Sequence, residues 1–173
     1  MKKISKGLYF GSIYGGVLIG YLVLIISIFL LDSYDDFAVL LGFLLMFISG
    51  SAVIYGVIMS IILFYKIWEA IQDGDVRSTP GKAVGFMFIP FFNLYWMFQA
   101  TWGWAIDFNK YIAEKKVETP KITEGIPLSF CILSCCSIIP IINLFLIIPL
   151  IVLWFIFLNK AIDGANAIIE KNS

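Results

Sequence analysis

The chain contains no histidine. Imidazole acid/base catalysis, histidine-ligated metals and haem with a histidine axial ligand are therefore excluded. Charge is scarce as well: 14 % of residues against about 25 % in a soluble domain, with 12 Lys plus Arg balancing 12 Asp plus Glu. A net charge of zero without a long basic run excludes a nucleic-acid partner. Cysteine is nearly absent. Cys131, Cys135 and Cys136 lie with Ser129, Ser134 and Ser137 in one apolar stretch. An odd cluster in that setting is no disulfide framework, and without His or acid beside it no metal site. It reads as small-residue helix packing. No nucleophile–base pair and no paired intramembrane carboxylates can be assembled. These absences point to a protein without catalysis, metal or cofactor.

Apolar surface is what the chain has in excess. Hydrophobic residues make up 61 % of 173, above the roughly 45–50 % of a soluble domain. A 19.5 kDa globule is too small to hide that much from water. The composition predicts an all-α, multi-pass integral membrane protein. Met1-Lys2-Lys3 resembles the start of a signal peptide, but the apolar run Leu8–Leu31 is too long for a leader and no small-x-small site follows it. It reads as a retained anchor.

Residues 1–65 are expected to form a pair of spanning helices, Leu8–Leu31 and Phe37–Tyr65, each longer than the roughly 20 residues that cross hydrocarbon. Small residues recur every four positions: Gly11/Gly15 and Gly16/Gly20 on the first, Ala52/Gly56/Ser60 on the second. That spacing predicts a close antiparallel contact. The loop 66–82 ends in Ser78-Thr79-Pro80-Gly81, a helix cap with proline at the first helical position. Two broken membrane units follow, 83–112 interrupted at Pro90 and 126–173 interrupted at Pro140 and Pro149, with the charged loop 113–125 between them. The second ends in an amphipathic tail that sets Ile162, Ala165, Ile168 and Ile169 toward one side.

Shifting the chain by 50 positions lays Ile89-Pro90-x-x-Asn93-Leu94 over Ile139-Pro140-x-x-Asn143-Leu144, with Trp104 on Trp154 and Asn109-Lys110 on Asn159-Lys160. Pro, Trp, Lys and Asn in ungapped register predict an internal repeat. Each copy carries a helix break, because proline disfavours helix in the residue before it and asparagine tolerates turns. The Asn93 and Asn143 amides are expected to pair backbone groups freed by the break. Two topologies remain open. Re-entrant hairpins would put every Lys and Arg, and the N-terminus, on the cytoplasmic side, as the positive-inside rule favours. Four spans would make the copies inverted in topology, an arrangement common among transporters.

Candidate ligand or ion-binding residues are Asn93, Asn143, Asp107, Asn109 and Lys110. An intramembrane acid is a functional hypothesis by default; here Lys110, three positions on, is in helical pairing reach of Asp107, so an interfacial ion pair is expected. The aromatic crowd from Phe86 to Tyr111, including Trp96, Trp102 and Trp104, reads as a membrane-boundary belt.

At Thr79-Pro80-Gly81-Lys82-Ala83-Val84-Gly85-Phe86-x-Phe88-Ile89-Pro90-x-x-Asn93-Leu94-Tyr95-Trp96 the chain resembles an uncharacterised bacterial family of polytopic membrane proteins. These share a Pro-Gly-x-Ala-Val-Gly stretch leading into a Phe-Ile-Pro-x-x-Asn core. The resemblance implies a protein of the bacterial cytoplasmic (inner) membrane and transfers no activity. The expected function is a membrane subunit or scaffold that meets a protein partner, a second copy of itself or membrane lipid through its loops and hairpins. The alternative is a small oligomeric transporter or channel with a midplane site at the two Ile-Pro-x-x-Asn breaks.

Overall fold

In a computed structural model that describes residues 2–172, the protein is all-helical, with no strand among those residues. The helices are α1 (Lys6–Leu31), α2 (Asp36–Glu69), α3 (Pro80–Gly85), α4 (Phe92–Met97), α5 (Gly103–Glu114), α6 (Gly125–Cys136) and α7 (Pro140–Lys171). Three of them, α1, α2 and α7, are long and apolar enough to cross a membrane. The chain forms two compact units, Ser5–Leu63 and a second made of residues 2–4 with residues 64–172.

In the first unit α1 and α2 run antiparallel along a seam of small residues. The buried positions are Ile13, Gly20 and Ser27 on α1, with Tyr9 one turn earlier, and Gly42, Ser49, Gly56 and Leu63 on α2. Steps of seven are the signature of two helices coiling left-handed about each other. A Cβ on Gly20 would lie 2.8 Å from Val53 Cγ2 and 3.3 Å from Ser49 O, and one on Gly16 would lie 3.0 Å from Ala52 O. Ser49 Oγ donates across the seam to Gly20 O at 2.7 Å. Gly11 and Gly15 lie off this contact, with nothing within 4 Å of where a Cβ would stand. Adjacent helical residues point about 100° apart, so the pairs 11/15 and 16/20 cannot share one face. The π-helical turn Gly11–Gly15 re-phases the helix at the start of the seam, around Ile13. Ser60 is half-buried one turn beyond Gly56.

The second unit opens with α3, capped as its sequence demands: Thr79 Oγ1 accepts from Lys82 N at 3.3 Å, with Pro80 in the first turn. A 3₁₀ turn, Phe86–Phe88, leads to the first break. Ile89 is extended (φ −84°, ψ 114°), and so is Ile139 before Pro140 (φ −81°, ψ 115°). Both obey the steric rule that a residue before proline leaves the helical region. After Pro90 the chain turns at Phe91, φ 62° and ψ −42°, with Phe92 N donating to Pro90 O at 2.7 Å. This is a γ-turn of the rarer, strained hand. Its apex is apolar and exposed, Phe91 to 89 %. In the other break α6 ends at Cys136 and α7 starts at Pro140; the two helices pack as a hairpin, with Phe130 stacked on Trp154 at 4.8 Å.

Pro149 does not interrupt the unit 126–173 as expected: α7 runs unbroken from Pro140 to Lys171. A single proline removes one helical hydrogen bond. Ending the helix there would leave several backbone groups unpaired in an apolar stretch, which costs more. The Asn93 and Asn143 amides do not pair the backbone at the breaks either; the backbone closes those turns itself, Asn93 N donating to Ile89 O and Asn143 N to Ile139 O, both at 2.9 Å.

The core of this unit lies at the polar ends of its helices. Its largest fully buried side chains are Trp68, Trp104, Phe108 and Phe157. Two indoles cross-stitch it, Trp68 Nε1 donating to Ala100 O (3.1 Å) and Trp104 Nε1 to Ile67 O (3.0 Å). Trp104 is therefore core rather than boundary belt. Half-buried Trp96, whose Nε1 donates to Ala83 O at 3.1 Å, and Trp102 lie nearer the surface. Along α7, Ile141, Leu144, Phe145, Ile148 and Ile151 are exposed, whereas Phe157, Leu158, Ala161, Ile162, Ala165 and Ile168 are buried. One helix thus joins an exposed apolar half to a half packed into a folded body.

Candidate functional site

The densest polar arrangement is the loop after α2 strapped along one face of α5. Asp107 is 7 % exposed, and both its oxygens are taken by Arg77, the only arginine in the chain. Arg77 Nε lies 3.1 and 3.0 Å from the two oxygens, Nη2 is 2.9 Å from Oδ1, and the Arg77 backbone N donates to Oδ2 at 3.0 Å. A guanidinium fork satisfies both oxygens of a carboxylate held away from water, which a single ammonium does not. The expected Asp107–Lys110 pair is accordingly not formed. Lys110 swings outward to Asp75 at 2.6 Å, with Glu114 at 4.0 Å. Gly103 makes room for this strap: a Cβ there would meet Arg77 Nη1 at 2.6 Å.

One turn along α5, Tyr111 OH donates to Asp73 Oδ1 at 2.7 Å, and Lys115 Nζ lies 3.3 Å from Asp73 Oδ2. The tyrosine hydrogen bond, against a smaller opposing effect of burial and with help from Lys115, holds the Asp73 carboxyl below its ordinary value. Lys110 does the same for Asp75. Burial first, and then the bond to Asp73, pushes the Tyr111 phenol up to about 12. The contacts at Asp73 and Asp75 thus favour the ionised carboxylate and the protonated donor.

Two asparagines fasten extended segments to helices. Asn109 Nδ2 donates to Ile122 O and its Oδ1 accepts from Ile122 N, both at 2.8 Å, with Glu124 Oε1 3.2 Å from Nδ2. Asn166 does the same for Ile4, at 2.7 and 2.9 Å. A side-chain amide presents a donor and an acceptor side by side, which matches the two backbone groups of one extended residue. Asn109 therefore clasps a loop. Lys171 Nζ closes that loop from the other side on the carbonyls of Lys115 and Lys116.

Of the five residues that the sequence singles out, Asp107, Asn109 and Lys110 come together on α5. Asn93 and Asn143 are half-buried and their amides have no hydrogen-bond partner among the described residues. Arg77, Asp73, Asp75 and Asn166 were not singled out, although the pattern Asp73-Gly74-Asp75-x-Arg77 carries three charges within five positions. Three cavities border this region. An acidic groove of about 570 Å³ is lined by Glu69, Gln72, Asp73 and Asn172 over Ala70, Ile168 and Ile169. A second, about 350 Å³, lies between Lys116–Glu118 and Ala167, Glu170 and Lys171. The third, about 290 Å³, contains Lys121 and Lys160. Among the described residues no group of three or more His, Cys, Asp and Glu is placed to hold a metal ion. Comparison with protein-family models, with curated proteins and with solved structures finds no match to this chain.

Proposed function

We propose that the chain is a non-enzymatic membrane subunit or scaffold of the bacterial cytoplasmic membrane. Its N-terminus and charged loops lie on the cytoplasmic side, where they meet a protein partner, and its two apolar tips act as wedges in lipid. The observation that carries this reading is where the polar side chains are spent. Asp107, Asn109, Lys110 and Asn166 all fasten loops or the N-terminal segment to helices. A transport site would need such groups around one wet cavity, whereas Asp107 is buried with both its oxygens bonded to Arg77. What the fastening builds is a rigid platform bearing the Glu69–Asp73 groove, in which the Glu69 carboxylate has no partner among the described residues.

The matched backbone angles of Ile89 and Ile139 support treating the two units as copies of one hairpin design. The exposed tips, Phe88, Ile89 and Phe91 in one and Ile138, Ile139 and Ile141 in the other, support their burial in lipid. The transporter reading draws on one specific observation, the unpartnered amides of Asn93 and Asn143. Two experiments decide between them. A photo-crosslinking side chain at Glu69, in cells, is expected to capture one discrete protein adduct that the same probe at exposed Tyr34 does not. Solute flux into vesicles that Asn93→Ala and Asn143→Ala abolish without unfolding, with no adduct at Glu69, would refute the scaffold.

A further inference from the structure

The clasp between Asn109 and Ile122 has an effect on the residue beside it. Ile122 is pinned at both backbone atoms and is 3 % exposed. Lys121 is thereby held at a fixed place against α7. There it shares the 290 Å³ pocket with Lys160, Thr119, Pro120, Ile122 and Asp163. Lys3, Lys110, Lys115 and Lys171 are all engaged by carboxylates or carbonyls. Lys121 and Lys160 are exposed, and neither ammonium has a partner among the described residues.

The pocket's height on the helix is the second observation. Lys160 stands twenty positions after Pro140, where α7 begins, and at 1.5 Å per residue that is about 30 Å, the thickness of a bilayer's hydrocarbon core. Between them the exposed large apolar side chains run from Ile141 to Phe155, including Leu144, Phe145, Ile148 and Ile151. The exposed apolar face, from Ile141 to Phe155, is therefore about 21 Å long and lies on the membrane side of two unpaired cations.

We propose that this pocket binds the phosphodiester of an acidic phospholipid. Lys121 and Lys160 hold the anion, the Thr119 hydroxyl donates to it, and the acyl chains run along the exposed face of α7 toward Pro140. Two ammonium groups stand against one carboxylate, Asp163, so the pocket keeps a positive balance. Asn109 is the positioning residue, because it holds Lys121 in place through Ile122. The inference rests on the membrane seating proposed above and names the lipid that one loop selects.

The test uses the purified full chain in mixed micelles of phosphatidylcholine and phosphatidylglycerol, with retained lipid counted by native mass spectrometry. Each lysine at a headgroup plane contributes about five-fold to anionic over zwitterionic preference, so the pair gives roughly thirty-fold. Lys121→Gln and Lys160→Gln should each lose about five-fold, and the double variant all of it. Asn109→Ala should lower the preference toward the Lys121→Gln level, whereas Lys2→Gln with Lys82→Gln leaves it unchanged. Should the double variant misfold, about 0.5 M salt applied to the unaltered chain must remove most of the preference. Equal retention of both lipids by the unaltered chain, or full preference in a folded double variant, overturns the proposal. Displacement of lipid by millimolar glycerol phosphate would assign the pocket to a soluble phosphate ester and overturn it equally. Loss of lipid preference with the Glu69 adduct intact sinks this inference alone; loss of the adduct with lipid preference intact sinks the partner reading alone.

Discussion

Replacing Gly164 with alanine sets two known effects against each other at one site. In an exposed helix interior the change is favourable, by up to about 1 kcal/mol of helix propensity. At Gly164 a Cβ would lie 2.3 Å from Phe108 Cζ and 2.6 Å from its Cε2. The phenyl ring cannot easily retreat. It is fully buried and stacks on Trp104 at 5.1 Å and 20°. Trp104 is held by its bond to Ile67 O and by the edge-on ring of Phe157 at 5.7 Å. Overpacking such a core costs typically 1–3 kcal/mol. A 2.3 Å approach puts this site in the upper part of that range, about 2–3 kcal/mol. After up to about 1 kcal/mol of helix propensity, the net expectation is a loss of about 1–2 kcal/mol, read by unfolding in mixed micelles with a denaturing detergent. Gly50→Ala, where nothing lies within 4 Å, is the control and should be neutral or stabilising. Pairing Gly164→Ala with Phe108→Leu should recover about 1 kcal/mol relative to the sum of the single changes. A Gly164→Ala protein as stable as the unaltered one would refute the claim that Phe108 seals against this helix.

Four further outcomes follow from the same geometry. Asp73 and Asp75 have depressed carboxyls, so their contribution is complete above the ordinary value of 3.8 and disappears as pH falls through the folded values. Hydrogen exchange in residues 72–78 should therefore accelerate below that point, and Tyr111→Phe should bring the onset to higher pH; an onset unmoved by Tyr111→Phe would show that the phenol is not the main support. Asn109→Ala should expose the Ile122 amide to exchange and destabilise the loop by about 1–3 kcal/mol, with no change in exchange at Ile4 as the internal standard. Phe91→Gly should stabilise the fold in detergent by about 1 kcal/mol or more, since glycine adopts positive φ without strain; a loss of stability would mean that the exposed ring matters more than the turn. A single cysteine at Lys116, with Cys131, Cys135 and Cys136 changed to serine, should resist a membrane-impermeant thiol reagent until cells are opened. Labelling from outside would overturn the cytoplasmic placement of the loop and revive the four-span topology.

The sequence by itself determined the features that depend on near neighbours along the chain. The two long N-terminal apolar helices are written as uninterrupted runs, the start of α3 as Thr79 with Pro80, and the breaks as Ile89-Pro90 and Ile139-Pro140. Each follows from backbone chemistry within a few residues. The seam between α1 and α2 was half legible: the spacing of four marks Gly16, Gly20 and Gly56 but equally marks Gly11 and Gly15, while the step of seven through Gly20, Ser27, Gly42, Ser49 and Gly56 separates them.

Only the tertiary structure decided who pairs with whom. Asp107 meets Arg77 rather than Lys110, because a carboxylate turned inward is satisfied by a fork arriving from a loop 30 positions away. Trp104 is core because two helices close over it, which no local property of an aromatic cluster distinguishes from a boundary belt. Pro149 leaves α7 whole, although Pro140 marks a break, because the surroundings offer the backbone no better partner than the helix. Local signals set where helices begin and which surfaces are apolar. The clasps, the strap and the pocket at Lys121 and Lys160 join residues far apart in sequence, so they exist only once the helices have packed.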